Sequence, residues 1–347
     1  MALWHIRPLI NSLSYSFPHH WTPSQVLVVD ESLVPCKARS KIKQYLKDKH
    51  KRWGYKIWCL VSKKYLFRFE VYTGKWHSKS TESTASVVEK LVSPYYGLNH
   101  LVVMNNYFAS IPLFQSLLSD STYALGTFRP NRKGFPSDMV SEIKQFNRGN
   151  HSFRQNGQLI TYSFLDRQPV YFLSSFHSSK QMASLSRVGK GGQQLTFPVP
   201  TAIRDYNSYR GGVDVLDQLH SYYSISRKSR RWWPRLPWWL IDAAICNAHR
   251  LYQVRINGKC SGLDFRMKLM HELAGDTNQD NKNKNKTSQP IIINDLTNHW
   301  IIYSDSTLDC VHCSEQKKLR KRSHFKCFQC DKHLCIGECF ASYHKYI

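Results

Sequence analysis

QVLVVDES, residues 25–32, sets the architecture: four apolar residues, three of them β-branched valines, run straight into the acidic pair Asp30 and Glu31. A run this short and this branched reads as a strand buried on both faces, delivering its first charged side chain where a parallel sheet opens to solvent. LVVMNNYF, residues 101–108, repeats the form and closes on Asn105 and Asn106. Two buried strands with polar ends point to one sheet with one functional edge.

Outward from these strands, YKIWCLVSKKYLFRFEVYTG (55–74) reads as a hairpin turning at Ser62-Lys63-Lys64. Residues 80–91 and IPLFQSLLS (111–119) have helical periodicity, and YALGTFR (123–129) is strand-like. The first 29 residues predict a weak helix and a turn at His20–Pro23. Strands alternating with helices predict an α/β fold. From about 129 to 200 the texture becomes richer in Gly, Pro and Ser, with two strand-like runs, LITYSF and PVYFLSSF. Helix is expected again over 203–223 and 238–254. GDTNQDNKNKNKTSQP (275–290) is polar and low in complexity, and predicts a disordered linker.

The 347 residues carry 49 Lys+Arg against 24 Asp+Glu, a net charge of +25. A surplus of that size attracts polyanions, nucleic acid first and an anionic membrane surface second. No run approaches the roughly 20 apolar residues of a membrane span, and the N-terminus has no signal-type apolar segment. A cytosolic or nuclear protein is expected, with reduced thiols and no membrane or small-molecule partner.

Acidic residues gather where chemistry is expected. Asp30 ends a strand, and Asp214 and Asp217, three apart in GGVDVLDQLHSYY (211–223), share a helix face. Carboxylates brought together repel unless a divalent cation joins them, and two Mg²⁺ ions so held drive in-line attack on a phosphodiester. The same residues also serve as helix caps or surface charges. RKSRRWWPRLPWW (227–239) sets Arg227, Lys228, Arg230, Arg231 and Arg235 around Trp232 and Trp233. The cations suit DNA phosphates, while Trp238 and Trp239 are read as core.

Six of the ten cysteines lie between Cys310 and Cys339, as Cys310-x2-Cys313-x13-Cys327-x2-Cys330-x4-Cys335-x3-Cys339-x4-His344. Paired CxxC knuckles in a reducing compartment predict structural zinc. Two four-coordinate ions need eight ligands, so one of His324, His333 or His312 joins these seven. Lys317, Lys318, Arg320, Lys321 and Arg322, in the long loop between knuckles, form a phosphate-contacting patch, a nuclear-import signal or a solvated face.

The words around the acids carry a resemblance. VVDESLVPCKARSKIKQYLKDKHKRWGYKIWCL (28–60), NNYFASIPLF (105–114), YNSYRGGVDVLDQ (206–218) and RKSRRWWPRLPWWLIDAAICNAHRLYQ (227–253) resemble, in order and spacing, the catalytic segments of piggyBac-family transposases. The resemblance implies an RNase H-like core over 26–273 with an insertion at about 129–200. Residues 274–300 would be a linker, and 301–347 a cross-braced zinc finger that recognises DNA ends. It implies cut-and-paste transposition by three aspartates and two divalent cations, at Asp30, position 105 and Asp214, with Asp217 accessory. Position 105 departs from that pattern: Asn brings no charge and cannot bridge two cations. Residues 1–25 stand where the family has a larger N-terminal region, and are read as its remnant. The expectation is a nuclear, transposase-derived DNA-binding protein, as a monomer or homodimer, with impaired catalysis. An active transposase and a chromatin or protein adaptor acting through the zinc module are the alternatives.

Overall fold

The computed structural model describes residues 3–47, 51–74, 83–229, 231–256, 259–275, 301–327, 330–335 and 338–344. The chain divides into two compact units, Met1–Leu269 and Met270–Ile347.

Helix α1 (Arg7–His19) precedes the strand that organises the first unit, β1 (Val26–Pro35). Two-residue β2 (Gln44–Tyr45) pairs with the start of β3 (Trp53–Ser62), and β3 folds back as β4 (Tyr65–Val71). The turn is the expected one. Lys63 and Lys64 both take left-handed φ, 48° and 68°, as a tight hairpin that follows strand twist requires. Helix α2 (Thr84–Val92) leads to β5 (Leu101–Met104), α3 (Ile111–Ser119) and β6 (Tyr123–Thr127). Part of the helix expected over 80–91 lies outside the described residues.

Strands β1, β5 and β6 are parallel, and β3 lies antiparallel on the other side of β1. Leu27 and Val29, with Val102, Met104 and Ala124, are buried on one face of the sheet; Val28, Val103 and Leu125 are buried on the other. Burial on both faces is why β1 and β5 read as unbroken apolar runs.

Beyond short α4 (Asp138–Glu142), residues 129–200 add five strands where two were expected: β7 (His151–Asn156), β8 (Leu159–Leu165), β9 (Pro169–Ser174), β10 (Met182–Val188) and β11 (Gln194–Pro200). Strands β9, β8 and β7 extend the sheet antiparallel from β6, giving the order β2-β3-β1-β5-β6-β9-β8-β7 with β4 also on β3. Strands β10 and β11 form a separate ribbon. Strand β7 escaped sequence reading because HSFRQN, with a half-exposed to exposed surface, has no apolar alternation.

The helix expected over 203–223 is two: α5 (Thr201–Tyr209) and α6 (Gly212–Tyr222), broken at Arg210 and Gly211. Adjacent glycines weaken helix continuity. Gly212 also gives close contact, since a Cβ there would lie 3.1 Å from Val28. Helix α7 (Arg235–Arg255) starts earlier than expected because Pro237 falls within its first turn, where no N–H is missed. Helix α8 (Gly262–Ala274) closes the series. The second unit holds an antiparallel pair, β12 (Ile301–Asp309) and β13 (Arg322–Cys327), with short helices α9 (Val311–Glu315) and α10 (Glu338–His344).

Gly54 in β3 is a tight point: a Cβ there would sit 2.3 Å from the Val34 carbonyl oxygen. Gly54→Ala is expected to lower stability by about 2–3 kcal/mol in urea unfolding, because backbone rather than a flexible side chain must yield. An unchanged midpoint would contradict this packing.

Candidate functional site

Register decides which acids meet. Val29 pairs with Met104, so Asp30 and Asn105 fall at the same level of adjacent parallel strands. Strand side chains alternate, so Asp30 shares a face with Val28 and Ser32, and α6 packs over that face through Gly212. Glu31 goes to the opposite face, 3.9 Å from the Lys56 ammonium. Asn106 is likewise turned aside and accepts a hydrogen bond from Arg129 Nε at 3.2 Å.

Asp30, Asn105 and Asp214 line one cleft of about 910 Å³, whose wall includes Lys63, Lys64 and Arg210. Asp214 is exposed and Asp217 half-buried. Asp217 accepts a hydrogen bond from the fully buried Ser32 hydroxyl at 2.5 Å, which fixes α6 over β1. The Cys59 thiol, opposite Asp30 in the sheet, is held well above its ordinary pKa by burial first and then by the charges of Asp217 and Asp30.

Asn105 is bound at both ends of its amide. Its oxygen accepts the Tyr107 backbone N–H at 2.9 Å, and its Nδ2 donates to Asp30 Oδ1 at 2.7 Å. The Tyr107 N–H only donates and an ionised carboxylate only accepts, so this amide orientation is the one that satisfies both partners. The Glu31 backbone N–H donates to the same Asp30 oxygen at 2.8 Å. Position 105 therefore presents hydrogen, not a lone pair, to the neighbouring carboxylate.

Two arginines beside this edge escaped the sequence reading. Arg132 donates to the Tyr107 carbonyl at 2.9 Å, and Arg129 is anchored to Asn106 as described. The signal was the RPNR run directly after β6, obscured by its distance in sequence from Asn106. Of the basic-aromatic segment, Arg227, Lys228 and Arg231 are exposed, and Arg235 donates to the Ser226 hydroxyl at 2.7 Å. Arg230 lies outside the described residues. Trp239 is buried, and Trp232 and Trp233 pack partly buried against the main core, so their ring faces are largely used within the fold.

In the second unit the sulfurs of Cys310, Cys313, Cys335 and Cys339 lie within 4.8 Å of one another. Cys313 Sγ is 3.5 Å from Cys339 Sγ and 4.0 Å from Cys335 Sγ. A tetrahedral ion with metal–sulfur bonds of about 2.3 Å requires edges of about 3.8 Å, so this cluster can hold a metal. Burial works to raise the Cys310 thiol, but hydrogen bonds from Cys313 and Cys335 outweigh it and lower its pKa. Cys327 and Cys330 stand outside this group, and the Asp331 backbone N–H donates to the Cys327 carbonyl at 2.9 Å. His333 is buried with Nδ1 2.8 Å from the Ser323 carbonyl, and His324 meets the Thr307 hydroxyl at 3.2 Å. His312 lies half-buried on α9. His344 ends α10, but its side chain lies outside the described residues. Lys317, Lys318, Arg320, Lys321 and Arg322 are exposed, Arg320 with its Nε 3.2 Å from Asp309.

The model of the Transposase IS4 family matches residues 2–249, most of the chain, and the chain belongs to that family. Within it the likeness is to piggyBac. Human PiggyBac transposable element-derived protein 3 is 28% identical over 98% of this chain and 58% of its own length. Human PiggyBac transposable element-derived protein 2 is 26% identical over 93% of this chain and, again, 58% of its own. The chain thus spans little more than half the length of these relatives. A piggyBac transposase solved by cryo-electron microscopy in a synaptic complex with hairpin DNA shares the fold, with a TM-score of 0.67, 21% identity and coverage of 96% of this chain and 72% of that one.

Helix α6 also carries His220, 6% exposed, both ring nitrogens without a hydrogen-bond partner, its pKa lowered by burial and then by Arg266 to about 3. A depressed folded pKa means the unfolded chain takes up this proton first as pH falls below 6.5. The stabilisation is complete above that value and is lost toward pH 3, by up to roughly 1.4 kcal/mol per pH unit. His220→Leu is expected to flatten the acid limb of a urea-midpoint-versus-pH profile; an unchanged slope would contradict it.

Proposed function

We propose that this chain is a transposase-derived DNA-binding protein in which an RNase H-like core retains the cleft of a phosphodiester-cutting enzyme but is impaired in cutting by Asn105. One observation carries the reading: the Asn105 amide donates to Asp30 at 2.7 Å, filling with a hydrogen bond the place where a metal-bridging carboxylate would stand. The sheet order β4-β3-β1-β5-β6, with β1, β5 and β6 parallel, supports the RNase H-like assignment.

Asp30, Asp214 and Asp217 are the residues that would hold Mg²⁺, which polarises the phosphoryl oxygen and activates the attacking group when bound. The donor set fits a bridged pair of ions poorly, because Asn105 turns N–H toward Asp30 and its oxygen already accepts from Tyr107. Asp30 orients that amide and the Ser32 hydroxyl fixes Asp217. DNA would lie along the cleft, its phosphates met by Lys63, Lys64, Arg210, Arg129 and the exposed cations of 227–235. Pairing of two such chains on two DNA ends, and a nuclear location served by the Lys317–Arg322 loop, belong to the same proposal.

The second unit is proposed as a cross-braced zinc finger. The first and third cysteine pairs converge while the second stands apart, which supports one ion on Cys310, Cys313, Cys335 and Cys339 and a second on Cys327, Cys330 and His344 with a further ligand. Protein isolated with zinc is expected to retain about two ions per chain by colorimetric release after denaturation. Cys313→Ser should lose about one and Cys260→Ser none; wild-type zinc content in the Cys313→Ser protein would contradict the pairing.

The functional test is nicking of supercoiled plasmid with Mg²⁺ or Mn²⁺. The wild-type chain is expected to bind plasmid in a salt-sensitive manner and to nick at least about a thousandfold more slowly than its Asn105→Asp form. Comparable nicking by both would make the protein an active enzyme and overturn the impairment.

A further inference from the structure

The edge formed by β2 and β3 lies outside the cleft, and no role described so far uses it. Tyr45 pairs directly with Trp53 in the antiparallel register. The two rings stand 4.9 Å apart, inclined at 53°, and Lys43 Nζ lies 5.2 Å from the centre of the Trp53 ring. Both aromatics face solvent: Trp53 is 52% exposed and Tyr45 47%. Core tryptophans here are buried or half-buried, so an indole this open, held in place rather than tucked away, needs a reason.

Its placement is built. Gly54 follows Trp53 and lies against the Val34 carbonyl, and the Trp53 carbonyl accepts the Cys36 N–H at 3.1 Å, so the backbone beneath the indole is fixed. The surroundings are one-signed: Lys41, Lys47, Lys51 and Arg52 are all exposed. Across residues 37–56 the sequence has nine Lys or Arg and one acid, Asp48. A neutral lipid surface or an apolar protein partner would meet this cluster of cations at a cost, and an anionic membrane would match the cations but offer the paired rings no flat base to stack on. A phosphate chain with open bases matches both features, since cations follow the backbone while aromatic faces accept bases of any identity.

We propose that Trp53 and Tyr45, with Lys43, form a stacking platform for unpaired bases of single-stranded DNA. The inference rests on the DNA-binding reading and adds the strand state: a duplex keeps its bases stacked inside and offers this platform only phosphates. Base-flanked cations without an open base gain charge attraction alone.

The test is fluorescence anisotropy with a labelled oligothymidylate and, separately, a duplex of equal length, over a range of salt, for the full chain. Trp53→Ala is expected to weaken single-strand binding about tenfold while leaving duplex binding and the salt slope unchanged. Trp53→Phe should recover most of the loss, and Lys43→Ala should weaken both forms and reduce the salt slope. Matched urea midpoints for wild type and Trp53→Ala exclude a folding defect, and Tyr45→Ala supplies a second, independent probe of the platform. Equal loss on both DNA forms, or no loss in either aromatic variant, would overturn the platform while DNA binding stands. Failure of the wild-type chain to bind either DNA would overturn the DNA reading and the platform with it.

Discussion

Strand β5 ends at the level of Asp30, midway along β1, and there an amide donates a hydrogen bond to a carboxylate. The cleft depends on that contact. Two carboxylates in these positions would repel, and relief would have to come from a cation. With Asn105 the relief is internal: the Asn105 amide and the Glu31 backbone both donate N–H to Asp30, and β1 and β5 are joined there without an ion. Asp30 and Asn105 form a charged-to-neutral pair already joined by a hydrogen bond.

The rest of the arrangement follows from bringing α6 to the same face. Gly212 lets the helix approach Val28, the Ser32 hydroxyl ties Asp217 to β1, and Val213, Leu216 and His220 are buried on the adjoining side. Asp214 is thus brought to the cleft that Asp30 lines, and Asp217 to Ser32 on the same strand. His220 is the cost of this packing, a polar ring enclosed without partners. The Ser174–His177–Asp205 chain, by contrast, has the hydrogen bonds of a nucleophilic triad, yet Ser174 is fully buried and accepts the Phe176 and His177 backbone N–H groups. It is a turn lock.

Much of this was legible in the sequence because the decisive strands are buried on both faces. Apolar runs at 26–29 and 101–104 announce themselves, and the polar residues that follow them and the acids on GGVDVLDQ could be placed without coordinates. The α/β class and the family followed from the same words. What stayed hidden was set by tertiary contact. The polar strand β7 is recruited by β8 rather than by its own pattern, and the break between α5 and α6 serves the approach to Val28. Arg129 and Arg132 acquire their place only when β6 lies beside β5. The cysteine spacing pointed to a group that could hold a metal, but which sulfurs converge, those of Cys310, Cys313, Cys335 and Cys339, is seen only in the folded unit. The exposure of Trp53 was not visible until β2 was seen to pair with it.

The most direct measurement is Mn²⁺ binding, followed by paramagnetic resonance of the free ion, for the wild-type chain and its Asn105→Asp form. If the Asn105–Asp30 hydrogen bond stands in for a bridging metal, the wild-type cleft should bind Mn²⁺ at least about a hundredfold more weakly than the Asp form, with fewer ions at saturation. Equal affinity and stoichiometry in the two proteins would contradict it, and would mean that the amide turns away to admit the cations.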